Sequence, residues 1–500
     1  MSDSPPDVRR QFSVASDVFL RALAVVWFIA FASFWWQLRG LVGPNGVLPA
    51  QPFLDAIAKE LGEHRWWQTP TLCWIFGAGW FLHALCLGGL LLSVALFLRI
   101  LRPVCLALLW LSYLSLCLPG QVFLNYQWDA LLLETGFLAI FLAPWRLAGG
   151  GRADQPRFAR WLLWWLLFRL MFMSGLVKLT SGDETWRNLT ALTFHYETQP
   201  LPTWIGWWVH QMPLWFHQLS CLVMFAVELV VPFLLIGPRR LRHIAALVQI
   251  GLQIVIALTG NYTFFNLLTA ALCLLFFDDA WWARWAGVAP APYNSEVAAA
   301  HDRRDGARRP PLQRLFHPAI FIVMFAASLI ITLPSLAKPR QWPGWYARAF
   351  RLIAATRSVN SYGLFRVMTK ERPEIVIEGS DDGREWKPYE FKWKPGDLQG
   401  RPGFVAPHQP RLDWQMWFAA LAYPQRQQWV LNLCEHLLRG TPAVTGLLAE
   451  NPFPGRPPRH VRAVLYEYRF TTPEERGRTG RWWRREPVDY YFNAMSLKQR

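Results

Sequence analysis

The feature that most limits this chain is a series of apolar runs between residues 18 and 335, most of them long enough to fill the hydrocarbon of a bilayer. A hydrocarbon core about 30 Å thick takes roughly 20 residues of helix, and only helices or closed barrels satisfy their own backbone there. The runs predict spans near 18–38, 71–98, 103–118, 122–144, 159–177, 213–236, 243–259, 261–278 and 315–335. The third is short, and Gly260 alone parts the seventh from the eighth. The expected fold is mainly α, a polytopic helical membrane bundle of about nine spans. After residue 335 the composition changes to that of a water-soluble domain, so the chain divides into a transmembrane part, 1–335, and an extramembrane part, 336–500.

Charge follows the same division. Only 17% of the residues are charged, against about 25% in a soluble domain. The net charge of +17 raises the question of nucleic acid. That class is excluded because the arginines gather at the ends of apolar runs and form no continuous stripe with stacking aromatics. Arg9 and Arg10 precede the first run, and Arg99 and Arg102 follow the second. Arg146, Arg152, Arg157 and Arg160 follow the fourth, Arg239, Arg240 and Arg242 the sixth, and Arg303, Arg304, Arg308 and Arg309 the eighth. The short connections at 119–121 and 260 carry no Lys or Arg. The positive-inside rule then puts the N-terminus in the cytoplasm and residues 336–500 on the far side, in a periplasm or an endoplasmic reticulum lumen, with the 39–70 and 178–212 loops. Tryptophan pairs such as Trp35-Trp36, Trp164-Trp165, Trp207-Trp208 and Trp281-Trp282 lie near predicted span ends and read as interfacial anchors. The polar start to about residue 17 predicts no cleavable signal peptide. Seven cysteines without a CxxC pair suggest neither a disulfide framework nor a zinc knuckle. The charged, Pro-rich stretch 284–314 is expected to be a cytoplasmic loop.

In the extramembrane part, residues 374–380 alternate apolar and polar as a half-buried strand does. Asp381-Asp382-Gly383 is a turn signal, and 386–393 resumes with aromatics, which predicts a hairpin ended by Pro395-Gly396. A helix over 425–449 and strands at 461–471 and 482–492 complete a small β-rich, sandwich-like domain.

Ionisable groups within spans are costly and point to function or to a partner. Asp129 and Glu134 lie in the fourth run, Arg169 lies in the fifth, and Lys178 stands at its end. If the fourth span starts near residue 121, Asp129 lies roughly 12 Å deep, and Arg169, nine residues before Lys178, roughly 14 Å deep. Equal depth predicts an Asp129–Arg169 pair, either a packing element or part of a site. Lys178 is open to two readings, a snorkelling lysine at a span end or a base whose amine is freed by apolar surroundings. His195 and Glu197 could serve as acid and base in an outer loop, while two such residues are too few for a metal, and none is expected. His83, His217 and Glu228 read as hydrogen-bonded packing groups. Asn188-Leu189-Thr190 and Asn261-Tyr262-Thr263 match the glycosylation pattern. No phosphate-loop, dinucleotide, serine-hydrolase or zincin motif occurs.

Several stretches resemble the lipase maturation factor family. They are Asn125-Tyr126-Gln127-Trp128-Asp129 with 131–145, Ser174–Leu179, His195–Pro202 with His210–Pro213, Asn360–Thr369, and Pro407–Ala420 with its block His408-Gln409-Pro410-Arg411-Leu412-Asp413-Trp414. In that last block two prolines limit φ, and Arg411 and Asp413 are expected to bond locally. The resemblance implies a membrane-embedded maturation or folding factor for secreted lipases or other exported proteins. His408, Gln409, Arg411, Asp413 and Trp414, with Asp129, Glu134 and Arg169, are then candidate binding residues. The lean, Arg- and Trp-rich composition suggests a bacterial inner membrane, or the endoplasmic reticulum membrane if the host is eukaryotic. The membrane half is also similar, more distantly, to vitamin K-dependent gamma-carboxylase, on the short stretch Gly175-Leu176-Val177-Lys178-Leu179. That likeness implies Lys178 as base, with His195 or Glu197 assisting, acting with a quinone-like lipid-soluble cofactor. A third reading has Asp129, Glu134, Arg169 and Glu228 line a transport path. It has no inverted repeat behind it. The partners expected are membrane lipids and a secreted client, with no nucleic acid.

Overall fold

A computed structural model describes residues 12–144, 156–287, 311–336 and 342–497, with backbone only for 286, 311–317 and 336. Arg9, Arg10, Arg146, Arg152, Arg303, Arg304, Arg308, Arg309 and most of the 284–314 stretch lie outside the described residues. In chain order the membrane half contains α1 (Ser13–Leu41), α2 (Gly79–Phe97), α3 (Arg102–Cys117), α4 (Gln127–Leu142), α5 (Arg157–Thr180), α6 (Ala191–Thr198), α7 (Trp204–His210), α8 (Leu214–Leu234), α9 (Arg239–Thr259), α10 (Phe265–Leu274), α11 (Asp279–Ala286) and α12 (Pro311–Leu336). A helix stands at each of the nine predicted positions. Among the described residues six helices are long and apolar enough to cross a bilayer by length and composition, and α10 with α11 makes a seventh candidate bent by 105°. The helices α3 and α4 have 16 residues each, or about 24 Å of rise.

The two ends of the bundle differ. At one end Ser13 and Val14 donate to Asp279, Arg239 binds Asp278, and Arg99 and Arg102 bind Asp17. At the other end lie the connections from 42 to 78, 118 to 126, 181 to 213 and 260 to 264, and here the C-terminal part, the tail, is seated. It comprises α13 (Gly344–Thr356), β1 (Pro373–Ser380), β2 (Lys387–Pro388), α14 (Arg411–Ala420), α15 (Gln428–Leu438), β3 (His460–Phe470) and β4 (Trp483–Met495). Tail and bundle share one apolar core, running from Phe34 and Leu41 of α1 through Leu412, Met416 and Val430 to Ile375 and Val461 of the sheet. The approach is close enough that a Cβ at Gly40 would come within 2.3 Å of the Ala443 carbonyl.

The tail sheet is antiparallel, in the order β2-β1-β3-β4. Among the described residues it is a single sheet, so the expected sandwich does not form. One face packs on α14 and α15, and the other places Val376, Tyr468, Phe470 and Trp483 around Trp207 of α7. The bundle itself covers the face that a second sheet would occupy. For the same reason β1 is buried on both faces rather than half-buried. Its Glu374 is bound by Arg372 at 2.8 Å and Lys394 at 3.1 Å, and its Glu378 by Arg462 at 2.7 Å. The predicted strand 386–393 shortens to Lys387–Pro388, because its later backbone finds other partners: Glu390 accepts from Ala449, and Asp413 accepts from Trp393. The predicted helix 425–449 ends at Leu438, where Gly440 turns left-handed ahead of Pro442.

Arg372 fastens this sheet to the bundle. Its fully buried guanidinium donates to the carbonyls of Glu197, Gln199 and Pro200 and to Glu374, and it stacks 5.2 Å from the Trp483 ring. Arg372→Met leaves Glu374 and three carbonyls short of a donor, at a cost of about 3–5 kcal/mol. Limited proteolysis of the full chain in detergent is expected to cut the tail of the variant faster. Equal cleavage rates would refute the role.

Candidate functional site

Besides Arg372–Glu374, three buried ion pairs hold the region where bundle and tail meet, and none is the pair expected from sequence. The α4 helix begins at Gln127 rather than near 121, so Asp129 lies in its first turn, at the tail end of the bundle. Arg169 is too deep to reach it. The partner of Asp129 is Arg411, the first residue of α14, whose guanidinium meets both carboxylate oxygens at 3.1 and 3.2 Å. Tyr113 of α3 donates to Asp129 at 2.6 Å and accepts from Arg411 at 3.1 Å, and Arg411 also donates to the Phe123 carbonyl. Arg411, Asp129 and Tyr113 are all fully buried. Burial opposes the arginine charge, and Asp129 and Tyr113 more than offset it, so its pKa lies above the ordinary arginine value. The Arg411 side chain thus leaves its own block, contrary to the local bonding expected for it. Asp413 stays within the tail, where it accepts from the backbone N–H groups of Trp393 and Lys394 at 2.8 and 3.0 Å.

The rest of that block threads along α1. Ser33 and Gln37 hold the Gln409 carbonyl at 3.2 and 2.7 Å, Gln409 N–H donates to Ser33 at 2.8 Å, and Arg411 N–H donates to Gln37 at 2.8 Å. His408 meets Ser33 through Nδ1 at 3.0 Å. Trp414 lies 4.6 Å from Trp128, ring to ring, and Trp128 stacks on Tyr126. Asn261 clamps the same segment, donating to the Leu201 and Gly403 carbonyls and accepting from Val405 and Ala406. Its amide is buried and fully engaged, which overturns the glycosylation reading at Asn261.

The second pair is Arg169 with Glu134. At 1.5 Å per residue Glu134 lies about 10 Å along α4 from Gln127, close to the depth of Arg169 in α5. Arg169 donates to Glu134 and, at 2.9 Å, to the Asn360 carbonyl. Asn360 N–H and Tyr362 O–H donate to the other Glu134 oxygen at 2.8 and 2.7 Å. A tail segment therefore completes this pair too. The third pair is Lys178 with Glu228, at 2.8 and 2.7 Å to the two oxygens. Glu228 lies in a π-helical turn of α8, Ala226–Val230, and the Trp186 ring is 5.5 Å from the Lys178 ammonium. Lys178 is buried and braced rather than snorkelling. Proton abstraction would require its free amine, and both Glu228 oxygens hold that amine.

His195 and Glu197 point to different partners. His195 Nε2 meets Tyr262 at 3.2 Å, and Tyr262 donates to Gln199 at 2.9 Å. Glu197 faces His210 at 3.2 Å. Burial, with Lys178 adding to it, pulls the His195 pKa down to about 4. Burial, then Arg411 and Lys392, does the same for His408, also to about 4. Among the described residues no three His, Cys, Asp or Glu stand together as metal ligands. His83 accepts from Trp35 at 2.9 Å. All seven cysteines are buried and unpaired. Sequence reasoning missed Tyr113, Ser33, Gln37 and Arg372, and it missed Glu228 as the partner of Lys178.

The comparisons with known proteins match two stretches of the chain. The lipase maturation factor transmembrane domain matches residues 14–284, and the lipase maturation factor C-terminal domain matches 358–493. The chain belongs to the lipase maturation factor family. It is 39% identical to human lipase maturation factor 2, over 96% of this chain and 82% of that protein. It is 36% identical to bovine lipase maturation factor 1, over 96% of this chain and 88% of that protein. No solved structure matches.

The buried pairs can be tested by double substitution. Asp129→Asn and Arg411→Met are each expected to cost about 3–5 kcal/mol, while the two together cost far less than the sum, because no charge is stranded. Asp129→Asn with Arg169→Met is expected to be additive, and thermal melts in detergent separate the two outcomes. For the histidines, the unfolded chain takes up protons near pH 6.5, whereas the fold resists them down to about 4. Their contribution is whole above pH 6.5, declines as pH falls towards 4, and changes no further below. Melting temperature should fall from pH 6.5 to 5, and less steeply in His195→Gln/His408→Gln.

Proposed function

We propose that this chain is a membrane-embedded maturation factor that holds exported proteins, secreted lipases among them, on its tail-side surface while they fold. Family membership supports the maturation role. The observation that carries the client surface is the rigid seating of the tail: Arg411, Arg372, Asn360 and Asn261 fix it to the bundle, and the joint surface leaves large apolar side chains in the open. Tyr423 is 74% exposed, and Trp393, Phe404, Phe418 and Leu421 are exposed as well. Exposed aromatics on a fixed scaffold suit contacts with a partially folded chain. The basic residues Arg99, Arg102, Arg239 and Arg242 at the opposite end support a cytoplasmic N-terminus and a periplasmic or lumenal tail. His408, Gln409, Arg411, Asp413 and Trp414 then act by positioning that surface, as do Asp129, Glu134 and Arg169. The Lys178–Glu228 brace gives the carboxylase-like reading no added support.

A host lacking this chain is expected to make normal amounts of a secreted lipase with reduced specific activity. Restoring the wild-type chain recovers it, and Phe418→Ser/Leu421→Ser/Tyr423→Ser recovers less. Full lipase activity in the deletion host would overturn the proposal.

A further inference from the structure

A groove of about 610 Å³ lies at the rim of the bundle, between α13 and the tail-side ends of the spans. Its walls include Trp67, Leu114, Leu118, Phe350, Arg348 and Arg351. Leu114 is a largely buried residue of α3 at the base of the groove, and Leu118, which follows the last residue of that helix, is partly exposed, so one wall is the tail-side end of a membrane helix. The α13 helix follows the last span and is tied back to it by Tyr346 O–H donating to the Ile330 carbonyl at 2.5 Å. Its open face mixes two chemistries. Trp345 and Leu352 are exposed, and so are Arg348 and Arg351. Water disfavours the first pair and hydrocarbon the second; the headgroup layer suits both.

The charge in the groove is unbalanced. Among the described residues Arg348 and Arg351 have no carboxylate or other hydrogen-bond partner. Arg357, also in the wall, donates only to neutral groups, the Leu124 carbonyl at 3.0 Å and the Asn125 side chain at 3.2 Å. Three guanidinium groups thus border an apolar groove at headgroup depth with no anion from the protein. Guanidinium pairs with phosphate through parallel N–H donors.

We propose that this groove binds an anionic phospholipid, its phosphate on Arg348 and Arg351 and an acyl chain along Leu118, Phe350 and Leu352. The bound lipid fixes α13, and with it the entry of the tail, at the membrane surface. This goes beyond the maturation role and stands whether or not lipases are the clients.

The test uses the full chain in detergent, mixed with phosphatidylglycerol and phosphatidylcholine in equal amounts, with retained lipid counted by native mass spectrometry. Phosphatidylglycerol should be retained about tenfold over phosphatidylcholine, and Arg348→Gln/Arg351→Gln should abolish the preference. Equal retention of the two lipids by the wild type, or an unchanged preference in the variant, would overturn the proposal. Displacement of the lipid by inorganic phosphate alone would also overturn it, since it would mark the site as one for free phosphate. On the wild type, phosphatidylglycerol with a photoreactive acyl chain should label Leu118, Phe350 or Leu352; labelling confined to other surfaces would count against it.

Discussion

The structure turns on one constraint: a full charge removed from water needs a partner of opposite charge and hydrogen bonds for what remains. Asp129 at the head of α4 and Arg411 at the head of α14 satisfy it for each other, with Tyr113 between them. Neither residue can be buried alone, so the pair decides where the tail sits and in which orientation. Glu134 repeats the logic deeper in the bundle, where Arg169 supplies the charge and Asn360 and Tyr362 supply donors from the tail. The tail is therefore part of the electrostatic interior of the membrane half, and the shared apolar core is the wider expression of the same fit.

Much of the membrane half was legible in the sequence, because hydrocarbon demands long apolar helices and their runs stand out. The tail strands at 373–380, 460–470 and 483–495 were legible from alternation and turn residues. The missing second sheet was not, since the covering surface is α7, which lies far earlier in the chain. The ion pairs show a different limit. Counting depth along helices assumes that spans begin and end at one level. Asp129 defeats it because the preceding residues, Gln121–Leu124, form a short 3₁₀ turn outside α4. Glu228 defeats it because it lies about 21 Å along α8 from Leu214, while Lys178 is about 3 Å from the end of α5. The block 407–420 was marked by its family resemblance as important, yet nothing local in it says that Arg411 leaves its own domain to find Asp129.

The same geometry explains how a chain with few soluble-domain charges can present a defined outer surface. Arg372 and Asn261 bind backbone carbonyls and N–H groups across the boundary between tail and bundle, so they fix loop shape as well as position. The aromatics left in the open, Trp393, Phe418 and Tyr423 among them, stand on elements that these bonds immobilise. An apolar surface that is held still can contact a folding protein without collapsing on itself.

The insertion of Asn360, Tyr362 and Arg411 among the helices has a consequence for biogenesis. During synthesis the carboxylates of Asp129 and Glu134 enter the membrane long before their tail partners exist. Until translation reaches residue 411, the early helices carry carboxyl groups without their full set of partners, a state that water or other helices must shelter. The last third of the chain thus acts as a closing piece, and an interrupted or truncated product would keep an open, charged seam by which a quality-control system could recognise it.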